Sequence, residues 1–420
     1  MSSTVRTPLT ITRAPWQSDS AAVVALWSQH LGGREQAARK VAHAYLENPA
    51  GAGQCLLALE GSPPQTVGAL GLHARRYWRG HDTAEVCVMA DFVVDPRQRT
   101  LGPALALMRA AVDTTRQQSL GLFGWPNERS AAVAQRAGVP APLTMARYAK
   151  PLRSRLPLVR LQQAPRAPQS RWTRLQHQAL SRLLPPLLPI VTPALDAMLS
   201  GHDRLQMLGK RASAALLRQE GSGAPMQATH SGAWQHVGGF ADTLSGGRRA
   251  AENPNTGPAI DTLWAQRGAQ WWLSDRSWPF LRWRFAQGRW QLSLWLDADG
   301  RAHGYVVWRM APSAGSTTAA EGRSADDVVE IADALCNPLP RALAPMLRSF
   351  AHSMRSQTRA QLLSLEFGGC QTLAGQILEA GFVALGTPAP VLCTPPQAVP
   401  PGSWSPDGLF LTTLDRDPDL

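Results

Sequence analysis

Residues 90–104 hold the groups whose order could do chemistry. An apolar run ends at Asp95 and Pro96, a short basic turn passes through Arg99 and Thr100 to Gly102, and an alanine-rich helical pattern occupies residues 105–112. This predicts a strand, a turn and a helix start. A helix start leaves backbone N–H groups without intrahelical acceptors and adds the positive end of its dipole, so the turn suits an anion such as a diphosphate. Asp95, just before Pro96, reads as turn chemistry.

The spacing of Arg99, Gly102 and Ala104 resembles the acyl-CoA signature of the GNAT superfamily of N-acetyltransferases: Arg or Gln, two residues, Gly, one residue, then Gly or Ala. A second segment with Asn127, Ser130 and Gly138 resembles that superfamily's later helix motif, and the two stand in the right order. The resemblance covers residues 9–150. It implies a mixed, mostly antiparallel α/β sheet flanked by helices, acetyl-CoA as co-substrate, no metal, and direct attack of a substrate amine on the thioester. It implies further that the N–H groups of Thr100, Leu101, Gly102 and Ala104 hold the pyrophosphate while Arg99 assists by charge. Asn127 would contact the pantetheine arm, and backbone N–H groups around Phe92, Val93 and Val94 would polarise the acyl oxygen. A general base must take the ammonium proton, and Glu85 and Asp91 are the carboxylates on that strand. Even spacing along a strand puts the two on one face, and each reads equally as a polar residue satisfied at a strand end.

Two positions depart from the pattern. Pro103 removes one N–H donor, although proline suits the first helical position. Where many relatives carry a tyrosine able to protonate the leaving thiolate, this chain has Ala134. Tyr148 and Tyr77 are the nearest replacements by sequence, and both read as packing residues.

At 420 residues the chain exceeds the size at which one hydrophobic core keeps growing, which predicts two domains. The net charge of +12 comes almost wholly from arginine, since Lys40, Lys150 and Lys210 are the only lysines. That balance favours an anionic ligand, but the arginines are scattered and form no basic-aromatic ribbon, so nucleic acid is not the expected partner. Cys55, Cys87, Cys336, Cys370 and Cys393 lack metal-binding spacing, as do His30, His43, His73 and His81, and a reducing cytoplasm is the simplest compartment. No charged leader with an apolar core opens the sequence, and no uncharged apolar stretch reaches spanning length.

The elements needed to position the turn can be read in order. In residues 1–150, the acyl-CoA-binding domain, we expect a strand at 9–13, helices over 18–31 and 34–46, and a hairpin of strands 54–60 and 66–74. A polar turn at 75–80, a strand at 84–94, a strand at 120–123, a helix capped by Asn127 and a closing strand at 145–148 follow. Residues 151–237 read as a Pro-, Arg- and Leu-rich connector with short helices, whose apolar stretch 180–199 suits packing on a neighbouring domain ahead of a membrane surface, since its prolines break a continuous amphipathic helix. In residues 238–420 we expect a helix over 261–272, an aromatic cluster at 278–285, a hairpin around Asp297 to Gly300, a strand at 328–335, a helix over 339–355, a strand at 361–367, and a helix over 372–380 closed by Gly381. This loosely repeats the first half and looks like the degenerate GNAT-like domain of tandem members. Pro338 and Pro340 stand where the glycine turn should be, and proline has no N–H for a phosphate, so no CoA is expected there. Trp271, Trp272, Trp278, Trp283, Trp290 and Trp295 read as core, with stacking on a sugar or base as the other use of such rings.

The resemblance therefore implies acyl transfer, in the simplest case of acetyl, to the amine of a small molecule such as an amino sugar. Ala134, Pro103 and the degenerate repeat prompt the other reading, a non-catalytic binding or scaffold protein that keeps the fold.

Overall fold

Apolar, β-branched and small residues through 54–94 build an antiparallel meander of β2 (Gln54–Glu60), β3 (Gln65–Arg79) and β4 (Asp82–Val94), with β1 (Thr10–Ala14) at its edge. A computed structural model describes residues 9–14, 16–98, 101–153, 233–240, 255–311, 328–400 and 402–416. Helix α1 (Trp16–His30) and helix α2 (Arg34–Lys40), which continues as a π-helix over Val41–Leu46, pack Trp27, Ala37 and Tyr45 on one face against Leu57, Ala69 and Val93. Helix α3 (Leu101–Gln117) and helix α4 (Glu128–Arg136) cover the other face, where Leu107, Met108 and Ala134 meet Leu70, Leu72 and Met89. Between them β5 (Gly121–Gly124) runs parallel to β4, and β6 (Leu143–Pro151) follows α4.

The second half repeats this order. Strands β7 (Ala233–Gly239), β9 (Gln291–Leu296), β10 (Ala302–Ala311) and β11 (Val328–Cys336) pair antiparallel, and β12 (Leu362–Gly369) lies parallel to β11. Helices α5 (Thr256–Ala265), α6 (Trp278–Phe285), α7 (Leu343–Gln357) and α8 (Gln371–Glu379) pack around them, and a short strand β8 (Trp272–Ser274) precedes α6. Strand β13 (Val383–Thr394) follows α8 as β6 follows α4, and β14 (Leu409–Thr412) ends the series.

The closing strands are exchanged. Strand order among the described residues is β1-β2-β3-β4-β5-β13-β6-β12-β11-β10-β9-β7, so β13 of the second half sits beside β5 of the first, and β6 of the first beside β12 of the second. Leu392 of β13 consequently packs in the first half's core, and Tyr148 of β6 in the second half's. The closing strand expected at 145–148 is present as β6, but its neighbours are β12 and β13, not β5.

Two short strands then close a circuit. Strand β14 pairs with β12 and β8, and β8 with β3, so β3, β4, β5, β13, β6, β12, β14 and β8 form a ring. Tyr77, Phe123, Met145, Trp272, Val391 and Leu411 fill it, with Trp125 and Trp404 at its border. Buried aromatics of this size stabilise by about 2–3 kcal/mol each from area alone.

The ring corrects the turn expected at 75–80. Strand β3 runs on to Arg79 and turns at Gly80, whose φ is +60°. Second-half groups receive the polar residues: Arg75 lies over the rings of Phe280 and Trp283 at 5.6 and 5.2 Å, and the Tyr77 hydroxyl donates to Asp415 at 3.0 Å. The helix expected over 261–272 ends at Ala265, because Trp272 belongs to β8. The apolar stretch at 180–199 and nearly all of the connector lie outside the described residues. No helix among the described residues is long and apolar enough to cross a membrane.

Candidate active site

Strand β4 is bent where chemistry was expected. Its register against β3 passes from Gly71↔Ala90 to Ala69↔Val93, so Asp91 and Phe92 together oppose Leu70. This is a β-bulge, and Asp91 within it has φ of +52°, a left-handed conformation that costs a non-glycine residue about 1–3 kcal/mol. The surroundings hold it there. Tyr45 Oη donates to Asp91 Oδ2 at 2.6 Å, Lys40 Nζ pairs with Oδ1, and His73 Nε2 lies 3.5 Å from Oδ2. Gly71 makes room for this arrangement, since a Cβ there would fall 1.7 Å from Tyr45 Oη.

Beyond the bulge the parallel pair parts. Strands β4 and β5 stay in register from Val86↔Gly121 to Met89↔Gly124, after which β5 turns away through Trp125 and Pro126 while β4 continues beside β3. A cavity of about 290 Å³ fills the gap. Its walls are residues 89–92 and Leu70, Met108 of α3, residues 124–127 with Ser130, Leu392 of the exchanged β13, and Arg416 from the chain's far end.

The two expected carboxylates are not brought together. Glu85 is exposed, faces Arg76 at 3.6 Å, and lies six residues, roughly 20 Å of strand, before the bulge. Met89 keeps the α3 side of the sheet, whereas the left-handed turn at Asp91 carries its carboxylate to Tyr45 and Lys40 on the α2 side. The shared face inferred from even spacing is therefore lost. Burial would raise the Asp91 carboxyl, but contact with His73 and the charge of Lys40 outweigh it and hold it well below the usual carboxylate range. Such a group is charged and engaged, and a poor proton acceptor.

The first turn of α3 carries no acidic side chain, and Gly102 in it is exposed. Pro103 occupies the third helical position instead of the first, still within the turn whose N–H groups have no intrahelical acceptor, so the helix loses no bond. Arg99 and Thr100 lie outside the described residues, as does the side chain of Leu101. Ala104 is half-buried in the same turn. Phe92 lines the cavity, while Val93 and Val94 return to register opposite Ala69 and Gly68. Asp95 makes the turn read from its position, accepting from Arg97 N at 2.8 Å. Asn127 lines the cavity and caps α4, its Oδ1 accepting from Ser130 N at 2.9 Å. Ala134 is buried in α4, packed with residues of α3 and the sheet. Tyr77 and Tyr148 are buried packing residues.

Sequence reading missed Lys40, Tyr45 and Arg416. Tyr45 and Gly71 carry a faint signal, a small residue opposite a large one, but nothing local places residue 416 near residue 91. No group of residues suited to a metal ion occurs among the described residues.

The chain shares its fold with solved GCN5-related N-acetyltransferases of the GNAT superfamily. Among solved structures, the chain resembles a GCN5-related N-acetyltransferase from Anabaena variabilis, with a TM-score of 0.54 and 12% identity over 92% of this chain and 72% of that one. It also resembles a probable N-acyltransferase from Enterococcus faecalis, with a TM-score of 0.53 and 10% identity over 93% of this chain and 73% of the other. No family profile and no curated protein matches the sequence.

Proposed function

We propose that the chain is an acyl-CoA-dependent N-acyltransferase, acetyl-CoA being the simplest donor, that acylates the amine of a small molecule such as an amino sugar by direct attack. One observation carries the reading: the cavity beside the β4 bulge opens between parted parallel strands and is walled by Met108 of α3, the helix whose first turn carries no acidic side chain. In this reading the N–H groups of Thr100, Leu101, Gly102 and Ala104 hold the diphosphate, with Arg99 adding charge, and the amide nitrogen of Asn127 meets the pantetheine arm. The bulge takes Phe92 off the ladder, and its N–H is our assignment for the donor to the acyl oxygen, with Val93 and Val94 fixing the strand behind it. Such a donor is worth about 3 kcal/mol of transition-state stabilisation.

Asp91 acts through geometry, locking the bulge. Among the described residues it is the one carboxylate lining the cavity, and no histidine lines it. The ammonium proton is then lost to water before attack, and a thiolate leaves without a general acid, its thiol pKa being near 8.5. This predicts a kcat/KM that climbs tenfold per pH unit up to the acceptor amine's own pKa, with no plateau near neutrality. A rate levelling off between pH 6 and 7 in a pH-rate series would point to an enzyme base instead. All five cysteines are free and buried, in keeping with a reducing cytoplasm as the compartment we assign.

Calorimetry with acetyl-CoA, followed by thiol release with a panel of amines, tests the reading. Binding with turnover is expected. Binding without turnover for any amine would favour the non-catalytic reading that Ala134 prompts, and absence of binding would overturn the transferase reading.

A further inference from the structure

We propose that Arg416 reads an oxyanion, a carboxylate or a phosphate, on the acyl acceptor, which narrows the acceptor to small amines that carry an anionic group. This rests on the transferase reading of the cleft and deepens it.

Strand directions bring Arg416 there. Strand β5 is parallel to β4, β8 is antiparallel to β3, and β14 is parallel to β8, so β4, β5, β8 and β14 run the same way and their C-terminal ends gather at one rim of the ring. At that rim β14 passes into a 3-10 turn, Thr413–Asp415, and then Arg416, which forms part of the cavity wall.

The position is built from behind. Asp415 is wholly buried, accepts from Thr412 N at 2.7 Å and from Tyr77 Oη at 3.0 Å, and lies 3.6 Å from Arg276. Arg284, also buried, donates to the carbonyls of Leu414, Thr413 and Arg416 at 3.1, 3.3 and 3.4 Å. Glu366 of β12 takes Nη1 of Arg416 at 2.6 Å and does not itself line the cavity. One nitrogen of the fork is thus used to orient it. The side chain stays 43% exposed, with further N–H donors in the same plane.

The charge of the cavity points the same way. Leu70, Met89, Phe92, Met108, Trp125 and Leu392 give it apolar stretches among backbone and side-chain polar groups, and Lys40 offsets Asp91. Among the described lining residues Arg416 is the one cation, and Glu366 engages one of its nitrogens from outside the cavity, leaving the others to a ligand. A planar guanidinium at the edge of the cleft, with donors left over, selects an oxyanion over a bare second ammonium. The side of approach selects the acceptor over the nucleotide: Arg416 arrives from β14 and β12 of the second half, whereas the diphosphate seat belongs to α3.

The test compares matched pairs that differ by the anion, L-phenylalanine with phenethylamine and glucosamine 6-phosphate with glucosamine. Thiol release is measured at saturating acetyl-CoA. Calorimetric binding of the four corresponding N-acetyl products, with and without CoA, provides a readout that needs no turnover. In at least one pair we expect the anionic member to be favoured roughly tenfold or more, the worth of one charge-assisted hydrogen bond. Arg416→Ala should remove that preference and leave acetyl-CoA affinity unchanged, and Arg416→Lys should restore part of it. The pair that responds separates carboxylate from phosphate. Equal treatment of both members in both pairs, or a preference that survives Arg416→Ala, overturns the proposal. So does a loss of acetyl-CoA affinity in Arg416→Ala with discrimination intact, which would give the cation to CoA. Should acetyl-CoA itself fail to bind wild-type protein, the transferase reading falls, while the product-binding contrast still decides the role of Arg416.

Discussion

Ala90 and Asp91 in the first half, and Ala332 and Asp333 in the second, follow the last residue paired to the parallel neighbour strand, Met89 in one and Ile331 in the other. A bulge sets in at both places, since β10 skips from Trp308↔Ile331 to Val307↔Asp333 as β3 does around Asp91. Each aspartate also receives a tyrosine hydroxyl, from Tyr45 at 2.6 Å and from Tyr305 at 2.7 Å, and each meets a cation, Lys40 or Arg276. The outcomes differ. Beside Asp91 about 290 Å³ stays open, whereas beside Asp333 β14 inserts Phe410 and Thr412, leaving about 20 Å³. A bulge with parted strands makes a gap, and whatever packs into the gap decides between site and core. Pro338 and Pro340 already removed the phosphate turn from the second half, and β14 removed the cleft as well.

The filled second cleft depends most heavily on Asp333. It accepts from Arg276, Tyr305 and Thr412, and all four residues are buried, so Asp333→Ala leaves the guanidinium with Asp415, 3.6 Å away, as its one carboxylate among the described residues. We expect a loss of about 3–5 kcal/mol in urea denaturation, with acetyl-CoA affinity of the folded protein unchanged. A large drop in that affinity would mean that the second cleft serves the first directly.

Gly71→Ala attacks the open cleft through its support. The new methyl group must displace Tyr45 from Asp91, which should cost about 1–3 kcal/mol of stability and lower transfer more than tenfold. Transfer at the wild-type rate would show that the Tyr45 clamp is not what shapes the bulge.

A smaller effect concerns the seam between the halves, where His43 stacks on Trp283 with ring centroids 5.1 Å apart. Burial, then the charge of Arg284, lowers the His43 pKa from 6.5 to about 4. The unfolded chain therefore takes up this proton as pH falls below about 6.5 while the folded chain does not, so stability declines from pH 7 toward pH 4. Asp91, held low, adds a further loss in more acidic solution, since its stabilisation is present above the unfolded carboxylate pKa and fades as pH falls toward the folded one. His43→Phe, which keeps a ring against Trp283, should flatten the decline between pH 7 and 5 in thermal melts. An unchanged slope would assign it elsewhere.

The mildest change sharpens the contrast at the phosphate turn. Pro103→Ala restores an N–H in the first turn of α3, and acetyl-CoA binding by calorimetry should tighten by a few-fold, about 1 kcal/mol. Weaker binding would mean that this turn does not face the diphosphate.

Much of this was legible in the chain. Hydrophobic period, turn residues and caps placed β2 and β3 around Gly61 to Pro64, the β9-β10 hairpin at Asp297, the Asn127 cap and the α7-β12-α8 series, because each depends on neighbours a few residues away. Reading failed where a distant partner overrode the local pattern. Residues 75–79 look like a polar turn until Phe280, Trp283 and Asp415 cover them. Asp91 looks like a partner for Glu85 until a left-handed φ, supported by Tyr45 and Lys40, turns it to the other face.

The sequence by itself determined the local grammar: the helix start behind Arg99 and Gly102, its loss at Pro338 and Pro340, and two similar runs of strands and helices. Tertiary structure alone decided that the halves exchange β6 and β13, that a ring of eight strands joins them, and that Arg416 enters a cleft made chiefly by residues 70–130. The physical reason is that backbone hydrogen bonding and helix capping are satisfied within short spans. Strand partners and the occupant of a gap depend instead on which distant surfaces bury each other best, and no short stretch of residues records that.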